Sequence, residues 1–432
     1  MRARTGSRRL LADLSPLQES RAYRRLWVGL TLGNVGQIVA ITAIGLQVYA
    51  ITSSSFAVGL AGFCGLFPLV LLGLYGGAIV DAHDRRRVAL VAGILLWLVS
   101  VATAAQAWAG LHSVLLLYAL VAGQSAAFAV VNPARQAIVP RLVRRELLPA
   151  ANALTTVSMT LGYALGPLIG GLLVGQIGFR AAYTLDAITY LAAIYGIWRL
   201  PSMPPEGEVR RAGLRSVVEG LRFLGTRPNV RMTFLVDLAA MVLAQPRALF
   251  PAIGAVVLGG GPTTAGGLGA AVAFGSVAAG LVSGPLGGIR RQGRAVLRCV
   301  SGWGLAVAGF GVCITLAARR GGPPPEGVSA WLWPAAVFLV LAGAADAVSA
   351  VFRTTILQAA SPDELRGRLQ GVFIVVVAGG PRMGDLVAGT SGDLLGAGVA
   401  AIAGGLACVA TVLALNRAQP RFAHYDARHP EP

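Results

Sequence analysis

Residues 161–175 read LGYALGPLIGGLLVG, a stretch without a single charged side chain. Glycines at 162, 166 and 170 recur at every fourth position and share one helix face, where a missing side chain lets a second backbone approach closely. Pro167 sits among them, bends the helix and strips one carbonyl of its helical donor. Neighbouring helices in a bilayer re-satisfy such a freed group, so the stretch reads as the middle of a packed membrane helix. The apolar run around it covers about 151–176, and about 20 apolar residues suffice to cross a membrane.

Extending that reading along the chain gives twelve apolar runs, at about 26–50, 57–80, 88–110, 113–133, 151–176, 180–200, 230–258, 264–288, 297–318, 331–352, 367–389 and 394–416. Composition agrees, with 55% of the 432 residues apolar, 12% charged and a mean hydropathy of +0.69. Soluble domains carry about twice that share of charge, so a soluble globular enzyme is disfavoured, and disorder and collagen-like repeats are excluded. The expected fold class is therefore an all-α membrane protein of twelve transmembrane helices in two pseudo-symmetric six-helix bundles.

The expected organisation is a basic N-terminal tail over 1–25, a six-helix bundle over 26–200, a linker over 201–229, a second bundle over 230–416 and a C-terminal tail over 417–432. The linker carries Pro201, Pro204, Pro205, Glu206 and Glu208, then an amphipathic piece, LRSVVEGLRFL, suited to the membrane surface. A weak repeat supports the division. LGPLIGG at 165–171 returns as GGPRMGD at 379–385, and GGAIVDAHDRRRV at 76–88 has a degraded echo in GPLGGIRRQGRAV at 284–296. Parallel halves of this kind place a substrate site near the bilayer midplane between them.

The formal charge is +18, and all 36 basic residues are arginine. With both termini cytoplasmic, 31 of them fall in cytoplasmic loops, tails and helix ends. External loops then hold only Arg180, Arg319 and Arg320, leaving Arg247 and Arg382 inside helices. That asymmetry is the positive-inside bias that orients a chain in a plasma membrane. Scattered over many loops, the arginines do not form one nucleic-acid surface. Cys64, Cys299, Cys313 and Cys408 lie in or beside apolar runs without a paired spacing, and the four histidines form no metal motif, so no cofactor or metal is expected. No P-loop or nucleophile elbow is present, so the chain does not read as an enzyme.

Two motifs carry the functional reading. After the second run come Gly77, Asp81, Arg85, Arg86 and Arg87, spaced like the G-x-x-x-D-R-x-G-R-R loop of the major facilitator superfamily, with Ala82 and Asp84 standing where that family prefers arginine and glycine. Gly162, Gly166, Pro167, Gly170 and Gly171 resemble the antiporter motif of the same superfamily's exporters. Longer stretches are similar to its siderophore- and drug-exporting branch: LSPLQESRAYRRLW at 14–27, NPARQAIVPRLVRRELLPAANAL at 132–154, GLRFLGTRP at 220–228, RALFPAI at 247–253 and LQAASPDELRGRLQGVF at 357–373. The resemblance implies two six-helix bundles around a central cavity lined by the first, fourth, seventh and tenth helices, and proton-driven efflux. The arginine that many relatives carry in the fourth helix is absent, with Ala119, Gly123 and Gln124 in that region, so the family's usual proton relay does not carry over.

The remaining candidates are ionisable residues inside spans, each costing about 2.5–3.5 kcal/mol at a helix centre and so retained for a partner or a cavity. Asp237 and Arg247 share span seven, too far apart along a helix to pair directly. Asp346 lies on one stripe with Ser349 and Arg353, and Arg382 with Asp385 has the i, i+3 spacing of a pair. Asp186, near the outer end of span six, is expected at the membrane interface. The candidate proton carriers are Asp237 first and Asp346 second. The candidate substrate contacts are Asn34, Gln37, Gln124, Arg247 and Arg382, with Arg247 facing an anionic or hydrogen-bonding group. Asn34 with Gln37 serves equally well as glue between helices. The expected activity is proton-coupled efflux of a small molecule, a siderophore or a hydrophobic drug, by a monomer in the lipid bilayer. The alternatives are an uncoupled or uptake facilitator of the same fold and a non-transporting scaffold or sensor.

Overall fold

The computed structural model describes residues 13–204, 222, 224–282, 288–321, 327–360, 366–426 and 428. The amphipathic piece at 214–224 lies almost wholly outside the described residues, as do the surroundings of Gly77 and the side chain of Asp81. Within the described residues the chain is helical, and its only β-type contact is an isolated bridge between Arg291 and Asp426.

Twelve long helical segments follow one another. The first bundle holds α1 (Arg21–Thr52), α2 (Ser55–Cys64 and Leu66–Ala82, broken at Gly65), α3 (Arg85–Trp108), α4 (Val114–Leu142), α5 (Leu148–Gln176) and α6 (Phe179–Trp198). The second holds α7 (Pro228–Leu243, resuming through Arg247–Leu249, Phe250–Ala252 and a π-helical Ile253–Val257), α8 (Gly261–Leu281), α9 (Gln292–Arg319), α10 (Leu332–Ala360), α11 (Arg366–Leu395) and α12 (Ala397–Ala418). Ten of these are long and apolar enough to cross a membrane. The other two, α6 and α11, carry charged residues along their length, Arg180 and Asp186 in one and Arg382, Asp385 and Asp393 in the other. Boundaries also shift from expectation: α1 starts at Arg21 rather than 26, and α8 ends at Leu281 rather than 288.

Side chains fix where several helices begin. Ser20, Ser54, Asp84 and Ser113 each accept from a backbone amide three residues on, satisfying one donor that a helix start leaves orphaned. Interruptions are satisfied across helices in the same way. Where α7 breaks before Pro246, the carbonyl of Ala244 accepts from the buried indole Nε1 of Trp303 on α9 at 3.1 Å.

In the first bundle α1 packs on α5 and α6, α3 packs on α4 and α6, and α2 lies along α4. In the second, α9 packs on α10 and α12, α8 packs on α10, and α7 lies along α11 and α12. Two crossings join the bundles, α5 with α8 and α2 with α11. Both are built on glycine. A Cβ on Gly171 would lie 2.5 Å from the carbonyl oxygen of Pro262 and 2.9 Å from the α-carbon of Gly266. A Cβ on Gly59 would strike the carbonyl of Asp385, and one on Gly389 the carbonyl of Ser55. The stripe of Gly162, Gly166 and Gly170 faces the other way, onto Asn34, Ile38 and Val39 of α1. The sequence motif therefore serves two contacts, one within a bundle and one between bundles.

The start of α1 and the turn Pro420–His424 lie at one end of the molecule, because an even number of helices returns the chain to its starting side. The inter-bundle contacts run from the opposite, far end (Ser55 with Gly389, Gly175 with Thr263) to mid-helix (Leu66 with Gly379, Pro167 with Gly269).

Candidate functional site

Two charged clusters sit at the heart of the helices. The first joins α7 and α10 inside the second bundle. Arg353 forms an ion pair with Asp237, and its Nη2 lies 3.2 Å from Asp346 Oδ1. The acids differ in setting. The Asp237 side chain is 11% exposed, close to the 13% of Arg353, whereas that of Asp346 is 34% exposed. Ser349, between Asp346 and Arg353 on the same helix, is fully buried, and its hydroxyl has no partner among the described residues. One arginine thus neutralises only one of two carboxylates.

The second cluster lies where the bundles cross. Beyond the break in α7, Arg247 Nη2 reaches Asp385 Oδ2 of α11 at 2.5 Å. Asp385 is buried and also lies against Gly62 of α2, so the pair sits on the α2–α11 crossing. The i, i+3 spacing of Arg382 and Asp385 reads as a local pair, but the nearest cation to Asp385 is Arg247 from another helix. Arg382 turns instead toward the first bundle. A Cβ on Gly65, at the break in α2, would lie 2.7 Å from Arg382 Nη1 and 2.6 Å from the hydroxyl of Ser125 on α4.

The other sequence candidates scatter. Asn34 Nδ2 donates to Ser158 Oγ of α5 at 3.1 Å, which is a tie between helices. Gln37 and Gln124 are half-buried. Asp186, near the outer end of α6, does not face outward. It is 2% exposed inside the first bundle, against Gly36 of α1 and hydrogen-bonded to Ser100 of α3, with Oδ1 unpartnered among the described residues.

Sequence reasoning missed three groups. Gln47 and Gln106 exchange amide hydrogen bonds at 3.1 and 3.3 Å while the Tyr183 hydroxyl donates to Gln47 Oε1 at 2.6 Å. Arg135 Nη2 donates to the Tyr190 hydroxyl at 2.5 Å, deep between α4 and α6. Asp393 of α11 caps α2 across the bundle boundary. A polar residue isolated in an apolar run was the available signal for Gln47 and Gln106.

The loop after α2 is tied down at the tail-bearing end. Arg86 Nη2 donates to the carbonyl of Trp198 at 2.7 Å, at the negative end of the α6 dipole, and Arg85 Nη1 donates to the carbonyl of Ala137 at 3.4 Å. Asp84, where the superfamily prefers glycine, caps α3 and also accepts from the hydroxyl of Ser202 and the amide of Met203. Burial alone pushes its carboxyl upward, but hydrogen bonds from Ser202 and from the amides of Arg87, Met203 and Arg86 outweigh it. They hold the group below the ordinary carboxylate range.

Known proteins place this architecture. The enterobactin exporter EntS of Shigella boydii is 28% identical over 392 residues, covering 89% of this chain and 88% of its own, and that of Escherichia coli gives the same values. Solved structures of similar fold include the peptide transporter PepTSo, with a TM-score of 0.73 at 11% identity over 93% of this chain and 98% of its own. A mutant of the nucleoside transporter NupG gives 0.71 at 12% over 92% and 99%. A bacterial homologue of the iron transporter ferroportin gives 0.65 at 14% over 93% and 98%. These are transporters, not enzymes, and at such identities the solved structures speak for the fold alone. The profile described as transmembrane secretion effector matches residues 11–431, and with the helices and crossings above it makes this chain a member of that family of major facilitator superfamily transporters.

Proposed function

We propose that the protein exports a small molecule across the plasma (inner) membrane by alternating access, exchanging it for protons, as a monomer with both termini in the cytoplasm. The arginine distribution supports the orientation. The two glycine-built crossings support the mechanism, since they hold the far end closed with little side-chain material between the bundles. The name of the EntS relatives supports a siderophore as cargo, and the apolar helix faces suit a hydrophobic drug.

The observation that carries the coupling is Arg353 between two unequal acids. Asp237 is buried with the guanidinium and stays its counter-ion. Asp346, more exposed and more loosely held, takes the proton. Protonated, the cluster is neutral; deprotonated, it carries one net negative charge inside the membrane, which favours reloading from the outer side. This order reverses the sequence expectation, which put Asp237 first. One charge moved across 100 mV is worth about 2.3 kcal/mol, or roughly a fifty-fold gradient of cargo.

The test is proton flux into sealed proteoliposomes holding a pH gradient, read with a pH-sensitive dye as siderophores and lipophilic drugs are added. Cargo-triggered dye recovery that Asp346→Asn abolishes is the expected result. Labelled cargo crossing without proton movement would replace antiport by facilitated diffusion, and no flux with any compound would leave a scaffold or sensor.

A further inference from the structure

Around Gly62 and Gly65 at the α2–α11 crossing the described residues include two guanidinium groups, Arg247 and Arg382, and the carboxylate of Asp385, while Asp393 is engaged at the far end of the crossing by Ser54, Ser55 and Phe56. Arg247 holds that carboxylate at 2.5 Å. Arg382 feels the charges of both, yet its Nη1 is buried and has no hydrogen-bond partner among the described residues. A guanidinium that shares its nearest carboxylate with a second arginine and keeps a buried nitrogen unpartnered is unfavourable, and a packed membrane protein keeps one where something else completes it.

The surroundings say what completes it. Arg382 projects from α11 across the bundle boundary to the break in α2 at Gly65, where the absence of a side chain admits it. The Ser125 hydroxyl of α4 lies within 2.6 Å and Nη1 within 2.7 Å of the same point, the place a Gly65 Cβ would take. Val121 supplies an apolar wall at 3.2 Å from that point. Tyr163 of α5, 58% exposed, is close enough to interact electrostatically with both arginines. A guanidinium, a hydroxyl, a phenol and an apolar wall drawn from α11, α4 and α5 fit one negative charge on a planar group.

We infer that Arg382, with Ser125 and Tyr163, is the subsite for a carboxylate on an apolar cargo molecule, for which aromatic acids serve as probes, and that Arg247 is not its anion-binding residue because Asp385 occupies it. The inference rests on the reading of the protein as an exporter and names the class of molecule exported. It also places the cargo's charge on the surface where the bundles part, so a bound acid bridges α11 to α4 and biases which end is closed.

The experiment uses the full chain in nanodiscs and follows binding of benzoate, salicylate and 2,3-dihydroxybenzoate against their primary amides by calorimetry. At least one acid is expected to bind wild type tenfold or more tightly than its amide. Arg382→Gln removes that preference, Arg382→Lys keeps part of it, and Ser125→Ala weakens the acid severalfold. Lys preserves the charge, so its partial rescue separates loss of the subsite from loss of the fold. Equal binding of acids and amides, no binding of any acid, or an undiminished preference in Arg382→Gln overturns the inference. Because the readout is equilibrium binding, it fails or stands apart from the export reading: acid selectivity without pH-driven flux would sink proton-coupled export, and flux without acid selectivity would sink the subsite.

Discussion

Asp393, near the end of α11, accepts from the backbone amide of Ser55 at 2.7 Å, so a carboxylate of the second bundle caps a helix of the first. The same group accepts from the amide of Phe56 at 3.1 Å and the hydroxyl of Ser54 at 2.5 Å. Three bonds from one side chain therefore latch the far end of the molecule. Removing a cap costs about 0.5–2 kcal/mol. Asp393→Ala is expected to raise hydrogen exchange at Ser55 and Phe56 by a few-fold to about thirty-fold. Exchange at the start of α4, capped within its own bundle by Ser113, serves as the unchanged control.

Arg353 is the cation that both Asp237 and Asp346 approach, so its removal is far worse than removal of either acid. Arg353→Gln leaves Asp237 buried without a counter-ion, a loss of about 3–5 kcal/mol for a broken buried pair. The double variant Arg353→Gln with Asp237→Asn should recover much of that loss. Chemical denaturation in detergent compares the three, and a double variant no more stable than Arg353→Gln alone would show that Asp237 has another counter-ion.

The α5–α8 crossing has no room for a side chain. Gly171→Val wedges the bundles apart at the far end without touching the Gly162, Gly166 and Gly170 stripe that packs on α1. Transport is expected to fall at least tenfold while the protein remains monodisperse, with spin-label distances across the far end shifted outward. Unchanged distances would mean that the crossing yields locally instead.

Asp84 gives a pH signature outside the membrane. Its carboxyl is depressed in the folded protein, so its stabilising contribution is present above the unfolded value, about 3.9, and fades as pH falls through the lower folded value. Asp84→Ala should therefore be less stable than wild type at pH 7, by about 1 kcal/mol for the lost cap. The gap should narrow below about pH 4. A constant gap down to pH 3 would assign the effect to packing rather than charge.

Much of the fold was legible because the bilayer demands long apolar runs and the glycine spacing demands close neighbours. Pro167 and Gly171 announced a tight crossing, although not that Gly171 faces α8 while Gly170 faces α1. The clusters were less legible, because spacing along one helix says nothing about a second helix. Arg382 and Asp385 looked like a pair at i, i+3, yet Arg247 of α7 reaches the carboxylate from across the bundle. Asp237 and Arg353 are separated by several helices in sequence and meet only in space. Asp186 misled for the opposite reason: a polar residue near a helix end reads as solvent-facing unless the partners that bury it, Gly36 and Ser100, are known.

The glycine crossings have an energetic corollary. A contact made of α-carbons and carbonyls removes little hydrocarbon from its surroundings, and in a bilayer even that little has lipid waiting to replace it. Parting the bundles at the far end therefore sacrifices a few weak contacts and the Asp393 latch rather than a core. Two conformations separated by so shallow a difference can be repopulated by differential interactions of only a few kcal/mol. The proton proposed for Asp346 and the acid proposed for Arg382 would each be a perturbation of that size.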